Sequence, residues 1–561
     1  MSPLRFHAAY KSARRLREIA TVLVRHGFFP LMERMHLTRL VSIPLRLAGR
    51  RFTKEAEALT EPERARLALE ELGPTFIKFG QILSTRPDVV PHDFVVEFLK
   101  LQDSVSPFPF KDVIKVIGAE FHRPYTELFS SIEEAPVAAA SIAQVHRALT
   151  RDGIEVVVKV QRPGIEATIE TDIAILGYLA RIALKYIPEA KLYDPEGMVD
   201  EFSRVIKREM DFTLEASYMG KFRENFAGDS RVMVPKVFWE STSRHVLTME
   251  RVHGIKVDKV GRLREAGIDT EAVAHLIADV FFKQVFEFGL FHGDLHSGNI
   301  FVVSQGQIAF VDFGIVGRID VSMKQNLADI LIGFATQDYE STIKVYQRMG
   351  ILPETIDRAA FEREYHDILL RYFGRPLKYV KIGEVLLDYI RLAARHEITL
   401  PRDLLLFDKC IIELEGLARV LYPDVNILDE CEPYARKLYV ERLSPSSIAE
   451  GALSVAADYR DLAKDFPSQA GRIMKKVLDD RLRIEFLHRG LEDFMGEVDR
   501  SSNRLTFAVI IAALIVGSSM VIAAESAPTV MGLPVLGILG FLIASMLGFW
   551  LAVQILRSGK F

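Results

Sequence analysis

The sequence predicts an α+β fold of two lobes, preceded by a helical extension and followed by a membrane hairpin. Residues 1–70 have a charged helical pattern, strand patterns follow between about 136 and 313, and a helical pattern then continues to about 500. Two uncharged apolar segments come last. We expect the following division: 1–115, helical extension; 116–255, strand-rich lobe; 256–500, helical lobe; 501–561, transmembrane hairpin.

The composition argues against several classes of protein. Of the 561 residues, 49% are apolar and 26% are charged, as in ordinary globular proteins. The formal net charge of −4 gives no reason to expect nucleic acid as a partner. Cys410 and Cys431 are the only cysteines and form no C-x-x-C pair, so we expect neither a disulfide framework nor a cysteine zinc site.

The N-terminal segment MSPLRFHAAYKSARRLREIATVLVRHGFF lacks the continuous apolar core of a signal peptide. It predicts a basic amphipathic helix instead. A solvated basic face is favoured over contact with anionic lipid, which remains the alternative.

The C-terminal segments Leu505–Ala524 and Val535–Leu556 contain no charged residue, and each is long enough to cross a bilayer as a helix. The connecting segment has no Lys or Arg, whereas basic residues flank the pair on both sides: Arg500, Arg504, Arg557 and Lys560. The positive-inside rule therefore predicts cytoplasmic flanks and a short external loop. The alternative is a buried helical hairpin of a soluble protein.

A lysine stands in a run of β-branched residues. The segment VAAASIAQVHRALTRDGIEVVVKVQRPG predicts two strands joined by a turn at Asp152-Gly153, with Lys159 on the second strand. An unpaired lysine is costly to bury, so Lys159 requires an acidic or phosphate partner unless it is an edge-strand lysine that faces water. The helix expected after this strand offers three acidic candidates: Glu209, Asp211 and Glu215. Glu209 and Glu215 are six residues apart and are not expected to share one helix face.

The segment FHGDLHSGNIFVV has the spacing of a kinase catalytic loop. Asp294 and Asn299 are five residues apart, as in H-R-D-x-x-x-x-N, and Asp312 begins a D-F-G after an apolar strand. Each motif alone is also compatible with an ordinary turn. His292 and His296 lie in a loop, so a structural role is favoured over a metal site.

Two kinase features are missing. No G-x-G-x-x-G precedes Lys159, and no A-P-E follows the D-F-G. An alanine-rich segment stands where the glycine loop would be: Pro136, Val137, Ala138, Ala139, Ala140, Ser141, Ile142, Ala143 and Gln144. Alanine restricts close backbone approach to phosphate, which argues against a conventional protein kinase.

Together these motifs resemble a known family. Lys78-Phe79-Gly80-Gln81 resembles the K-x-G-Q motif of the UbiB/AarF/ADCK family of atypical kinase-like proteins. The segments AAAS, E-x-D at Glu209–Asp211, HGDLHSGN and VDFG match that family in the same order, over residues of about 70–320. The two apolar spans extend the resemblance to the bacterial UbiB branch, which implies an atypical protein-kinase-like fold.

The resemblance also implies roles for individual residues. Lys159 would bind the α- and β-phosphates, with Glu215 as its acidic partner, and the segment 136–144 would form the nucleotide loop. Asp294 would be the proton acceptor, and Asn299 and Asp312 would hold magnesium. Lys78 and Gln81 would lie on a helical extension that covers the site. This extension would pair with Glu209 or Asp211 and gate access to the site.

The function implied is that of an ATPase or atypical kinase that uses ATP and Mg2+ and supports ubiquinone biosynthesis. The implied partners are membrane lipid, isoprenoid quinone intermediates and enzymes of quinone biosynthesis, and the implied location is the bacterial inner membrane with the catalytic domain in the cytoplasm. A true protein or small-molecule kinase and a nucleotide-gated non-catalytic scaffold are the alternatives. The alanine-rich loop argues against the first, and the intact Lys159, Asp294, Asn299 and Asp312 argue against the second.

Overall fold

The structure is a computed structural model in which the chain divides into two compact units, Met1–Ala449 and Glu450–Phe561. The residues that the structure describes are 3–41, 59–84, 90–98, 100–101, 106–336, 338–353, 356–373, 380–396, 398, 400–442, 491–523, 529–530 and 533–557. The helical prediction for residues 443–490 and the flanking Lys560 lie outside these ranges.

Helices precede the first strand, as the sequence predicts. They are α1 (Pro3–Arg25), α2 (Phe29–Arg34), α3 (Glu61–Leu72), α4 (Pro74–Ser84), α5 (His92–Phe98) and α6 (Phe110–Phe121). α1 is amphipathic: Ile19 and Val22 are buried, whereas Arg14 and Arg17 are exposed. Arg15 differs from these exposed arginines, because its guanidinium binds the fully buried carboxylate of Asp172.

The strand-rich part contains an antiparallel sheet with the order β1-β3-β4-β6, and β2 pairs with β3. Its strands are β1 (Phe129–Ile132), β2 (Ala138–Ala139), β3 (Ala143–Thr150), β4 (Glu155–Gln161) and β6 (Val246–Glu250). The predicted turn at Asp152-Gly153 joins β3 and β4. Because side chains alternate along β4, Val158 and Val160 pack into the cluster formed with α6, whereas Lys159 points to the opposite face.

The acidic residues after β4 lie on two helices rather than on the one helix that the sequence suggested. After α7 (Ile165–Tyr186), the chain forms α8 (Pro195–Glu209) and then α9 (Phe212–Asn225). Asp211 breaks the helix because it has extended backbone angles and caps α9, where its carboxylate accepts a hydrogen bond from the Thr213 N–H at 3.0 Å. This break lets Glu209 and Glu215 face the same region although they are six residues apart.

A second, four-stranded sheet has the order β5-β10-β9-β7, and β8 pairs with β11 beside it. Its strands are β5 (Val232–Met233), β7 (Ile255–Lys256), β9 (Ile300–Ser304) and β10 (Gln307–Phe310), and the pair is β8 (Leu290–His292) with β11 (Val316–Arg318). Before β8, α11 (Thr270–Lys283) is followed by one π-helical turn, Gln284–Phe288.

The rest of the first unit is helical, as predicted, within the described residues. α10 (Val260–Glu265) precedes α11, and the later helices are α12 (Val321–Thr336), α13 (Tyr339–Arg348), α14 (Arg358–Phe373), α15 (Ile382–Arg395), α16 (Arg402–Leu421) and α17 (Ile427–Arg442). α16 packs on α11, so it lies directly behind β8 and the loop that follows it.

The second unit contains α18 (Leu491–Ala523) and α19 (Val535–Arg557), which pack against each other. Ser501–Ala523 and Val535–Val553 are long and apolar enough to cross a membrane. Their apolar side chains are exposed: Leu536 and Met546, for example, are 74% and 78% accessible. Gly540 faces Ser518 so closely that a Cβ would collide with its hydroxyl, which is the small-residue contact typical of membrane helices.

Candidate active site

The alanine-rich segment forms a tight hairpin. Ala138 and Ala139 make up β2, which pairs with β3, and the Ala140 N–H donates to the Ala143 carbonyl at 2.8 Å. The Ser141 hydroxyl at the tip is buried and has no hydrogen-bond partner among the described residues. The hairpin therefore stands where a kinase has its glycine loop, without the glycines.

The flanks of this segment have different environments. Pro136 is half-buried and Val137 is exposed, whereas Ile142 is buried in the core. The side chain of Gln144 is also buried: its amide bonds both the N–H and the carbonyl of Phe108, at 3.0 and 3.2 Å. The structure thus directs the Gln144 side chain into the α6 side of the sheet and not into the cleft, because Gln144 pairs with a strand position that faces α6.

Lys159 is the centre of a group of acidic residues. Its Nζ donates to both carboxylate oxygens of Glu215, at 2.9 and 3.1 Å, and lies 3.4 Å from Oδ1 of Asp312. The ammonium also lies 5.3 Å from the ring centroid of Phe212, at the start of α9. Burial by itself would lower the pKa of Lys159, but the two carboxylates outweigh it and raise the pKa, so the lysine stays charged.

The K-F-G-Q segment on α4 reaches the same region. Lys78 is buried and forms an ion pair with Glu209, at 2.5 Å between Nζ and Oε1. The Gln81 amide donates to the carbonyl of Leu101 at 3.2 Å. This bond lies within the helical extension and does not involve Glu209 or Asp211. Of the two acidic partners expected for the extension, the one that binds Lys78 is Glu209, since Asp211 caps α9.

Lys78 also acts on the carboxylates of Asp294 and Asp312. Partial desolvation and the charge of Asp294 raise the pKa of Asp312, yet Lys159 and Lys78 oppose these effects, and the net pKa lies below its usual range. Lys78 likewise contributes to the lowered pKa of Asp294. An ammonium from the extension therefore belongs to the electrostatics of the site, although it is more than two hundred residues before these aspartates in the sequence.

The loop after β8 brings Asp294 and Asn299 into direct contact. The Asn299 amide donates to Oδ2 of Asp294 at 2.9 Å. The Val311 N–H donates to the Asn299 carbonyl at 2.9 Å, and this bond places Asn299 beside the residue that precedes Asp312. The offset of five residues brings Asn299 to Asp294, and the bond to Val311 brings both close to Asp312.

The two histidines of this loop have structural roles, as the sequence favoured. His292 is fully buried; its Nδ1 accepts from the Asp294 N–H at 3.2 Å, and its Nε2 lies 3.2 Å from the Val311 carbonyl. His296 accepts from the Gly298 N–H at 3.0 Å and caps a short 3-10 turn. His292 therefore links the loop after β8 to the D-F-G backbone.

Asp312 has a positive φ of 60°, a conformation that few non-glycine residues adopt. The Gly314 N–H donates to its Oδ1 at 3.3 Å, and Phe313 is buried between Phe222 of α9 and His292, with ring centroids 4.9 and 5.1 Å away. The buried phenyl ring fixes the turn, so the carboxylate of Asp312 faces the cleft, half-exposed.

The donor set fits magnesium. No cluster of three or more His, Cys, Asp or Glu side chains suited to a metal occurs in the described residues, but Mg2+ commonly takes only one or two carboxylates and completes its shell with water and substrate phosphate. Asp312 supplies a half-exposed carboxylate, and Asn299 supplies an amide oxygen. These are hard oxygen donors, which this ion prefers.

Sequence reasoning missed two residues of the site, both on α16. Lys409 donates to Oδ1 of Asp294 at 2.9 Å and lies 3.1 Å from Glu413, whose other carboxylate oxygen accepts from the Leu295 N–H at 3.1 Å. Burial would raise the pKa of Asp294, but Lys409 outweighs it and lowers the pKa to about 2. No local spacing links positions 294 and 409, so only tertiary packing reveals this pair.

Gly293, the departure from H-R-D, also has a packing reason. A Cβ at this position would lie 2.7 Å from Cγ2 of Ile315 and 3.0 Å from Cδ2 of Leu406 on α16. Lys409 Nζ lies 3.3 Å from the Gly293 carbonyl. The glycine therefore permits α16 to approach the loop and bring a lysine to Asp294.

Three families match parts of the chain. Residues 100–346 match the ABC1 atypical kinase-like domain, residues 365–426 match the UbiB helical domain, and residues 489–557 match the ABC1/UbiB kinase-like C-terminal domain. The match to the UbiB helical domain covers part of the helical region in which the sequence offered no chemical motif.

Individual proteins are similar over most of the chain. An uncharacterized protein from the hydrogenase 1 5' region of Clostridium pasteurianum is 32% identical over 548 residues, 98% of this chain and 99% of that protein. A probable protein kinase UbiB of Pseudomonas fluorescens (strain Pf0-1) is 36% identical over 442 residues, 78% of this chain and 83% of that protein. Among solved structures, the Rv3197–erythromycin complex from Mycobacterium tuberculosis matches at 24% identity with a TM-score of 0.46, over 63% of this chain and 90% of that one.

Proposed function

Because the chain belongs to the UbiB/ABC1 family of atypical kinase-like proteins, we propose that it binds Mg-ATP and transfers its terminal phosphoryl group, as an ATPase or an atypical kinase at a membrane. One observation carries the proposal: Lys159 bridges Glu215 and Asp312 while Asn299 holds Asp294 in the same cleft. Phosphoryl transfer depends mostly on positioning and on neutralising phosphate charge, and these groups supply both.

Lys159 would bind the α- and β-phosphates, since its charge is maintained by two carboxylates and its ammonium is fixed by Glu215. Asn299 and Asp312 would hold magnesium, which neutralises phosphate charge when bound. The β2–β3 hairpin would cover the nucleotide, and Ser141 has a buried hydroxyl without a partner among the described residues at its tip.

Asp294 would orient the acceptor rather than act as a strong base. Its pKa of about 2 keeps it ionised at neutral pH, so it accepts a hydrogen bond readily but holds a proton poorly. This is sufficient for a loose phosphoryl-transfer transition state, which needs little deprotonation of the acceptor before bond formation.

The extension would restrict the acceptor. Lys78 binds Glu209 next to the acidic groups of the cleft, and its charge acts on Asp294 and Asp312. A helix in this position would obstruct a peptide, so water or a small lipid-borne group would be the acceptor. With two apolar helices as the membrane anchor, that group would be an isoprenoid quinone intermediate, and the pathway supported would be ubiquinone biosynthesis at the bacterial inner membrane.

The catalytic proposal is tested with the full chain in lipid nanodiscs. Wild type should release phosphate from ATP in the presence of Mg2+ and stop when the metal is chelated, and Asp312→Asn should abolish release. Asp152→Asn is the matched control, because Asp152 is an exposed aspartate in the β3–β4 turn. Equal release by wild type and Asp312→Asn would refute the catalytic assignment, and transfer of label to an added protein would favour the protein-kinase alternative.

The pathway is tested separately. In a strain from which the gene has been deleted, membrane ubiquinone should fall under aerobic growth, and wild type but not Asp312→Asn should restore it. An unchanged quinone pool would remove the biosynthetic role without affecting the catalytic one. Protection of the segment between α18 and α19 from cytoplasmic protease, with cleavage of residues before α18, would test the predicted orientation.

A further inference from the structure

The helical lobe contains a cavity of about 100 Å3, and none of the residues that line it belongs to the proposed nucleotide site. It is lined by side chains of α11 to α17, nearly all of them apolar. Three tyrosines contribute to its wall: Tyr346, Tyr365 and Tyr389. The Tyr346 and Tyr389 rings stack on each other at 5.0 Å between centroids.

One polar group in this cavity is not satisfied. Asp408 is 3% exposed, it lines the cavity, and its Oδ2 has no hydrogen-bond partner among the described residues. A buried carboxyl oxygen without a partner is costly and rare in folded proteins. A carboxyl in an apolar chamber is a polar anchor typical of small-molecule sites, in which a few polar groups orient an apolar ligand.

We propose that this cavity binds a small uncharged apolar molecule that carries one hydroxyl group, with the hydroxyl on Asp408. An engineered apolar cavity of about 150 Å3 binds benzene or xenon, so a space of about 100 Å3 suits a small compact apolar body. Burial raises the pKa of Asp408 to about 8, so the carboxyl is mostly protonated at neutral pH. A protonated carboxyl both donates and accepts, which matches a hydroxyl better than an ammonium.

The site lies directly behind the catalytic loop. Asp408 and Lys409 are consecutive on α16 and point about 100° apart around the helix, so one faces the cavity while the other binds Asp294. Phe407 lines the cavity as well, and its ring lies 6.1 Å from Phe281 and 6.4 Å from Phe291 of β8. An occupant would therefore contact the helix that supports the catalytic loop. The binding proposal itself does not depend on the catalytic assignment.

The experiment compares cyclohexanol with methylcyclohexane, which has the same shape but no hydroxyl, on the full chain in nanodiscs. Saturation-transfer NMR and thermal unfolding should show saturable binding of cyclohexanol, and methylcyclohexane should bind about tenfold more weakly because it cannot bond the carboxyl. Asp408→Leu should abolish this preference. Leu386→Phe, which places a larger side chain in the cavity wall, should abolish binding of both probes.

Val420→Phe is the matched control, because Val420 is on the same helix but 57% exposed, and it should bind as wild type does. Its thermal unfolding, compared with that of the cavity variants, separates loss of binding from loss of folding. Three results would overturn the proposal. They are equal affinity for the two probes, unchanged binding by Leu386→Phe, and non-saturable partitioning, which is expected if water alone occupies the site. Tighter binding of cyclohexylammonium would overturn the uncharged ligand class.

Discussion

Replacing Lys409 by methionine tests the contact that sequence reasoning missed. The side chain keeps its length but loses the ammonium that lies 2.9 Å from Asp294 and 3.1 Å from Glu413. In the wild type, Lys409 holds the pKa of Asp294 at about 2, below the ordinary 3.8. Without it, only the smaller effects of His292 and Lys78 oppose burial, so we expect the pKa of Asp294 to rise above that ordinary value.

The magnitude follows from linkage. A pKa lowered by about two pH units corresponds to ~2.5 kcal/mol of stabilisation, which solvent reduces to ~1–2 kcal/mol because 33% of the Asp294 side chain is exposed. In the wild type this contribution is fully present above the unfolded pKa near 4 and is lost as the pH falls towards 2. In Lys409→Met, the raised folded-state pKa reverses the sign, so stability is lost as the pH rises through it. The destabilisation of the variant relative to wild type should therefore be larger at pH 7 than at pH 4.5.

Thermal and denaturant unfolding at both pH values measure this difference. Lys437→Met is the matched control, because Lys437 forms an ion pair with Glu287 while 56% exposed, and its loss should cost less than ~1 kcal/mol with little pH dependence. The Asp294→Asn/Lys409→Met double variant separates Asp294 from Glu413: any pH dependence that remains belongs to Glu413. A destabilisation that is the same at pH 4.5 and pH 7 in the single variant would refute the assignment of Lys409 to Asp294.

Three further variants probe the supports of the cleft. Gly293→Ala should destabilise the chain by ~1–3 kcal/mol, since its Cβ would lie 2.7 Å from Ile315; unchanged unfolding would mean that α16 can move away without cost. Lys78→Met should destabilise it by ~1–3 kcal/mol because it removes the ammonium that pairs with the largely buried Glu209, and the Lys78→Met/Glu209→Gln double variant should recover part of this loss in denaturant unfolding. Asp211→Ala should cost ~1 kcal/mol by removing the cap of α9, whereas Asp211→Asn should retain most of the stability; equal losses in the two would contradict the capping role.

The residues that sequence reasoning found are those whose chemistry depends on short spacing. Lys159 stood out because a charged residue interrupts β-branched positions, and the structure places it on β4 between two carboxylates. Asp294 and Asn299 stood out through their offset of five, and they form a direct hydrogen bond. Asp294 and Asn299 lie in the same loop, so the local pattern already contains their geometry. For Lys159 the strand pattern predicts the need for an acidic partner, but Glu215 and Asp312 reach it from other parts of the chain.

The expectations that needed adjustment depend on where the chain bends. The acidic candidates were expected on one helix, but Asp211 ends one helix and begins another, so Glu209 binds Lys78 and Glu215 binds Lys159. Aspartate commonly caps helices, but the pattern of charged and apolar residues continues through Asp211 and does not reveal the helix break there. Propensity alone could not choose between one helix and two, because packing against the sheet decides the angle between them.

The sequence by itself determined the kinase-like order of motifs, the strand that carries Lys159, the family resemblance and the two apolar C-terminal segments, since each of these is encoded in residue type and short spacing. Only the tertiary structure decided which side chains complete the site. Lys409 follows Asp294 by 115 positions, and in the sequence it is one more lysine on an amphipathic helix. The same helix places Asp408 in the wall of an apolar cavity. Contacts between distant segments depend on how helices pack, and packing is a property of the whole core that no local spacing encodes.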